Sequence, residues 1–465
     1  MFWSDLAAFR PGMDSMTYGA ISRHMALHGD WFVPHYTTQA YPNFFQHPPF
    51  ALWMMALSMK LFALIGGPET LYADWVLKAL PALIAGLCAI GVYLWGKRIR
   101  DESFAFLATL VLLTSTRFAK YSKGFMLDPF LATFSLWGVY AACLARKKPS
   151  NGTGLAALAG LSIAAAMLSK GLFAFGPLAV ILAVYGLDLI QLRSGTVRIV
   201  AFLAGLGLPL AAWFVFGDAS NYLHHYYSEH VADRIGPHPL IDHFAPIINL
   251  AKVYWPWLPF FAIGCWRVLR NWKDESKRDE LAIGLTALAF VGGFCVVASF
   301  LEQYHTATYP FAALVAAIGF PSAWEKFRAG TEKILLAVCL GFFVFLLLNP
   351  YSMQGTEYKN PIRLALKEAD RRCADPAIRR ITISTGVAEI WYALAIGGWN
   401  TRWDPHSAPA TELPKNGSQL LLAAANEHVP SAWTPAGIEA EGLRLYRATD
   451  IGECSPSTLL NAASK

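Results

Sequence analysis

Apolar residues run through the chain in stretches of membrane-spanning length. From residue 73 to residue 350 they recur over about 73–96, 104–116, 128–145, 154–169, 171–190, 197–216, 253–268, 281–300, 306–323 and 333–350. A helix crosses a bilayer with roughly 20 such residues, so the pattern predicts ten membrane helices and returns the chain to its starting side. Alternate loops between these runs hold sixteen Lys and Arg residues, among them Lys97, Arg146, Arg193, Arg270 and Lys326. The opposite loops hold six: Arg117, Lys120, Lys123, Lys170, Arg234 and Lys252. Cytoplasmic loops carry the excess of positive charge. The richer set is therefore predicted inside, which puts residues 1–72 and the tail from 351 outside.

Two segments break the pattern. In "NFFQHPPFALW", Pro48 and Pro49 suit the first turn of a helix, where a missing N–H costs nothing. The helix they start, about 49–65, is apolar enough to span but is excluded by parity. It is predicted to be interfacial or re-entrant, anchored by Trp53 and Lys60. The tail, 351–465, turns polar and contains the strand-like runs "RRITIS" and "SQLLLAAA". The fold class expected is mainly α. Residues 1–350 form a polytopic membrane helical bundle, with 1–72 extracytoplasmic and carrying juxtamembrane helices, and 351–465 form a small soluble α/β domain.

Composition agrees. Of 465 residues, 55% are hydrophobic and 15% charged, with a mean hydropathy of +0.37, whereas soluble domains carry about 25% charged residues. The net charge of +6 resides in inter-span loops and is no argument for nucleic acid, which is not expected as a partner. The opening "MFWSDLAAFRPGMDSM" lacks the basic start and continuous apolar core of a signal peptide. Of seven cysteines, only Cys373 and Cys454 lie in the polar tail. An outside placement lets them pair, the alternative being two free thiols.

Polar residues that fit poorly in a membrane protein gather at outer loops and outer span ends, while span centres are nearly free of charge. That distribution predicts a site above the bilayer rather than a pathway through it. Asp14, Asp128, Lys170, His47, His230, Arg234 and Tyr304 belong to this set. Each also has a plain structural reading: Asp14 as a helix cap, Asp128 as the start of a span, and Lys170 as a snorkelling lysine.

In order, the motifs "MDSMTYGA", "GDWFVPHY", "HPP", "MLDPFLATF", "LSKG", "EHVADR" and "EQYHTATYPFAALVAA" resemble the GT-C membrane glycosyltransferases. The similarity is greatest to the branch of aminoarabinose lipid A transferases and protein O-mannosyltransferases. It covers roughly residues 5–325. It implies transfer of a sugar from a polyprenyl-phosphate donor to a lipid (lipid A-like) or protein acceptor, on the periplasmic side of the bacterial inner membrane. Asp14 matches the family's catalytic aspartate, Tyr18 the tyrosine close behind it, and Asp128 a second carboxylate. Lys170 matches a lysine near the donor phosphate, His230 a loop histidine, and Tyr304 an outer tyrosine. Where family members often carry Glu after the first Asp and an acidic–basic pair before the prolines, this chain has Ser15 and Gln46-His47. Thr17 stands where the aminoarabinose transferases have arginine. The family normally places a span ahead of the catalytic aspartate, and here only 13 residues precede Asp14.

On this reading Asp14, as general base, and Asp128 are the catalytic carboxylates, and His47, Lys170 and Arg234 hold the donor phosphate. Tyr18, Gln46, His230 and Tyr304 line the substrate site. No cofactor is required by the motifs; a divalent metal held by Asp14, Asp128 and His230 stays open. The alternatives are a flippase for lipid-linked sugars and a catalytically inactive scaffold.

Overall fold

The computed structural model describes residues 12–35, 43–147, 151–191, 195–232, 238–296 and 300–320 and, in the tail, 380–385, 404–409, 418–440 and 443–448, with single positions at 341 and 411. The described residues fall in two compact units. One gathers those within 45–54 and 78–352; the other, those within 8–44, 55–77 and 353–465.

The first unit is helical throughout. It contains α3 (Val76–Ile99, from Lys78 onward), α4 (Glu102–Thr114), α5 (Thr116–Tyr121), α6 (Asp128–Lys147), α7 (Gly152–Lys170), α8 (Phe175–Gln191), α9 (Gly195–Phe216), α10 (Ala219–Tyr226), α11 (Leu240–Val253), α12 (Leu258–Arg270), α13 (Arg278–Val296) and α14 (Tyr309–Gly319). Nine of the ten predicted apolar runs are helices here. The tenth, 333–350, lies outside the described residues apart from Gly341. Residues 76–99, 128–147, 152–185, 195–216 and 275–296 are long and apolar enough to cross a membrane, and the chain is a multi-pass membrane protein.

Other runs are short. At 1.5 Å per residue, the 11 residues of α14 reach only about 16 Å, half a hydrocarbon core. Every one of those residues is buried, so α14 is apolar all round because protein encloses it. Against it pack Trp95 of α3, with ring centroids 6.4 Å from Phe311, and Phe290 of α13, at 6.0 Å. The opposite case is α9, where Val200, Leu203, Leu208, Val215 and Phe216 are exposed, as a lipid-facing helix requires.

Glycine sets two close crossings. A Cβ on Gly160 of α7 would lie 2.0 Å from the Phe202 carbonyl oxygen of α9, and one on Gly205 would lie 2.2 Å from that of Ala157. On Gly264 of α12 it would meet the Val315 carbonyl oxygen of α14 at 2.0 Å. Small residues at the contact let helix backbones approach where lipid supplies no hydrophobic drive.

The helix predicted after "HPP" is α2 (Phe50–Gly66). Pro49 caps it: its carbonyl accepts the first helical bond, from Trp53 N–H at 2.8 Å. Leu57, Leu61, Leu64 and Ile65 form an exposed apolar stripe at helical spacing. Trp53, expected as a headgroup anchor, is partly buried and packs against the cluster of Leu168, Trp213, Tyr222 and Tyr226.

The second unit holds α1 (Met13–His28) and a five-stranded sheet of β1 (Arg380–Ser384), β2 (Asp404–Ala408), β3 (Ser418–Ala424), β4 (Trp433–Ala440) and β5 (Leu443–Ala448). The order is β2-β1-β3-β5-β4. β1 runs parallel to β2 and β3, and β5 antiparallel to β3 and β4. Both strands read from "RRITIS" and "SQLLLAAA" are present. Leu421, Ala423, Trp433, Tyr446 and Ala448 bury one core. Pairing of β4 slips between Pro435 and Ile438, where Gly437 takes a φ of 69°. Cys373 and Cys454 lie outside the described residues.

Candidate active site

Asp128 begins α6 and Lys170 ends α7, 42 residues apart in sequence. The Lys170 ammonium donates to the Asp128 carboxylate, and both are buried, at 6% and 1% exposure. Removing two charges from water is expensive, and the pair persists only because each offsets the other. The Tyr304 ring covers the ammonium, its centroid 4.6 Å from Nζ, a cation–π contact strengthened by desolvation. Tyr304 is held among Phe173, Phe294 and Phe300, with centroids 5.3, 5.8 and 5.9 Å away.

The chain leaves Lys170 through Gly171, whose φ of 64° and ψ of −131° suit glycine almost alone. There is no room for a side chain either: a Cβ would meet the Tyr226 hydroxyl at 2.7 Å. That hydroxyl oxygen accepts from Leu172 N–H at 3.4 Å. Tyr226 stacks on Tyr222 at 5.5 Å, and their cluster carries Phe45, Phe50 and Trp53. The Phe45 ring also meets His225 at 6.2 Å. The start of α2, with half-buried Gln46 and His47, is thus seated on the cluster that includes Leu168, two residues before Lys170. Prediction from order alone is matched by proximity for Asp128, Lys170 and Tyr304.

Glu302 was not singled out in the sequence. One of its oxygens accepts from Tyr121 Oη at 3.0 Å, and the other lies 2.9 Å from Arg117 Nη2. Arg117 and Tyr121 are one turn apart on α5. An acidic residue beside "QYH" and a basic residue in a loop with three cations were the available signals, but both read as loop charge. Burial and the nearby Arg117 lower the pKa of Lys120. His305 is fully buried, and its Nε2–H donates to the Pro246 carbonyl oxygen at 2.8 Å. Burial pulls its pKa down to about 4, so the ring is neutral and Nε2–H is the donor.

Asp14 is the second residue of α1 and half-buried; Gly12, with no side-chain bond, occupies the cap position. The capping reading of Asp14 is therefore not realised, although its charge suits the first turn. Tyr18 follows four residues later on the same face, its ring 6.1 Å from Phe44. His230 lies in the π-helical turn Tyr227–Ala232, its side chain outside what is described, and Arg234 lies outside the described residues. Among the described residues, no three His, Cys, Asp or Glu side chains are grouped to hold a metal ion, and Asp128 is engaged by Lys170.

The sequence profile of the dolichyl-phosphate-mannose-protein mannosyltransferase family matches residues 46–216, a stretch that includes His47, Asp128 and Lys170. Undecaprenyl phosphate-alpha-4-amino-4-deoxy-L-arabinose arabinosyl transferase of Aeromonas hydrophila is 24% identical over 415 residues, covering 80% of this chain and 72% of the relative. Arabinosyl transferase 2 of Proteus mirabilis is 25% identical over 280 residues, 58% of this chain and 47% of the relative. The chain thus spans about half the length of that relative. In structure it is similar to ArnT from Cupriavidus metallidurans bound to undecaprenyl phosphate, with a TM-score of 0.70 at 16% identity, covering 98% of this chain and 97% of the other. The archaeal oligosaccharyltransferase AglB from Archaeoglobus fulgidus gives 0.57 at 14% identity, over 89% of this chain and 66% of the other. The chain thus shares the fold of ArnT from Cupriavidus metallidurans, and its sequence is similar to those of arabinosyl transferases.

Proposed function

We propose that this protein transfers a sugar from a polyprenyl phosphate to a lipid A-like lipid or a protein acceptor, at the periplasmic face of a bacterial inner membrane. The observation that carries the proposal is the buried Lys170 ammonium, set at a helix end between one carboxylate and one aromatic face. An ammonium has three N–H donors. Asp128 takes one, the Tyr304 face lies against the charge, and capacity remains for an anionic oxygen. The similarity to a transferase solved with undecaprenyl phosphate supports a polyprenyl phosphate as that anion.

In the reaction, the acceptor hydroxyl oxygen attacks the anomeric carbon of the donor sugar. The bond from that carbon to the phosphate oxygen breaks, and its electron pair leaves with the phosphate. Asp14 takes the hydroxyl proton. Phosphate is already a fair leaving group, so the site's task is to hold it as charge grows and to remove one proton. Lys170 answers the growing charge, joined by Arg234 and, when protonated, by His47. Asp128 aims Lys170. Tyr18, Gln46 and His230 contact the substrates.

The test is turnover of undecaprenyl-phosphate-linked aminoarabinose in detergent by wild type and Asp14→Asn. Loss of a positioned base lowers kcat by roughly 10²–10⁴-fold, with undecaprenyl phosphate binding kept. Full activity in the variant would remove Asp14 from the mechanism. Donor movement across vesicles without transfer would favour the flippase reading.

A further inference from the structure

Tyr304 lies in the short 3₁₀ turn Glu302–Ala307, with two anchored side chains flanking it. On one side, Glu302 ties the turn to α5. Its two oxygens engage different donors, Arg117 at 2.9 Å and Tyr121 at 3.0 Å, which fixes the carboxylate's direction as a single contact would not. On the other side, neutral His305 ties the turn to α11 through Pro246. Backbone bonds Tyr304 N–H to Leu301 at 3.0 Å and Thr308 N–H to His305 at 2.9 Å close the turn between them. The result is a ring whose face stays over the Lys170 ammonium.

Stability is a poor explanation for the Glu302 contacts. Its side chain is 34% exposed and that of Arg117 26%, and ion pairs in such settings are worth at most about 1 kcal/mol. Orientation is what two such bonds supply. We infer that Glu302 and His305 are positioning residues that hold the Tyr304 ring on Lys170 and so tune how tightly Lys170 engages a phosphate. The inference rests on the proposed role of Lys170 at the donor phosphate.

The experiment is a double-mutant cycle read as the Kd for undecaprenyl phosphate in detergent. Glu302→Gln weakens binding about five- to tenfold with the melting midpoint nearly unchanged. The same penalty persists in a Tyr304→Phe background, which keeps the ring, and falls below about twofold in Tyr304→Leu, where no ring remains to position. Arg117→Gln breaks the same pair from α5 and repeats the pattern should Glu302→Gln fold poorly. Equal penalties in the Phe and Leu backgrounds would overturn the inference, leaving the proposed function intact. A wild-type protein that binds no undecaprenyl phosphate would overturn both.

Discussion

The ammonium nitrogen of Lys170 lies 4.6 Å from the centre of the Tyr304 ring while it donates to Asp128. One lysine therefore satisfies a carboxylate and an aromatic face at once, inside a wall of phenylalanines, and its charge is kept far from bulk water. Such a charge has a larger effect on an approaching anion than one at the surface.

The pair can be dissected by removing its members in turn. Lys170→Met leaves Asp128 buried and unpaired, which costs about 3–5 kcal/mol. Adding Asp128→Asn relieves the uncompensated charge and recovers most of that loss. Undecaprenyl phosphate binding stays weak in both. Thermal unfolding in detergent and the Kd measured side by side check this, and an unchanged melting midpoint in Lys170→Met would contradict the buried pair.

At the crossing of α7 and α9, Gly160→Ala drives a methyl into the backbone of Phe202 and is expected to destabilise the protein by about 1–3 kcal/mol. Gly207, three residues along α9 from Ala204, has nothing within 4 Å of its added Cβ. Gly207→Ala is expected to be neutral or to stabilise by up to about 1 kcal/mol, the gain in helix propensity. Melting midpoints that rank the two variants the other way would refute the close crossing.

His305 makes stability depend on pH. Its folded-state pKa is about 4 against an ordinary 6.5, so the unfolded state binds the proton first. Above pH 6.5 both states are neutral and stability is full. As pH falls from 6.5 to 4, protons favour the unfolded state, and about 3 kcal/mol is lost across the window. His305→Gln keeps a donor for Pro246 without titrating, so its unfolding free energy should lack this one-proton slope. A slope equal to wild type would assign the dependence to another group.

Orientation is testable in intact cells with an impermeant thiol reagent. Ser276 lies in the exposed turn before α13, and Ser220 in the exposed start of α10. Ser220→Cys is expected to react and Ser276→Cys to be shielded, as the loop charges require. The reverse result would move the proposed site to the cytoplasm.

Apolar run length made the helices legible: nine runs became helices within a few residues. It could not separate α9, unburied along most of its length, from α14, wrapped in protein, because lipid and a protein interior ask for the same side chains. The helix after "HPP" was readable from two prolines followed by an apolar stretch. In the tail, β1 and β3 showed as β-branched and leucine runs, whereas "DPHSA" and "WTPAGIEA" become strands through their neighbours' ladders. Asp128, Lys170 and Tyr304 were found through motif order. Their contacts were not, since pairing over 42 residues depends on the way α6 and α7 are laid together. Glu302 and Arg117 were missed because each alone resembles solvated loop charge.

The irregular stretch of β4 bears on solubility. β4 is an outermost strand of the sheet, and an outermost strand offers unpaired N–H and C=O groups to any passing chain. Pro435 cannot donate there, and the slip around Gly437 breaks the spacing a second strand would need. The tail thereby carries its own guard against edge-to-edge polymerisation along β4.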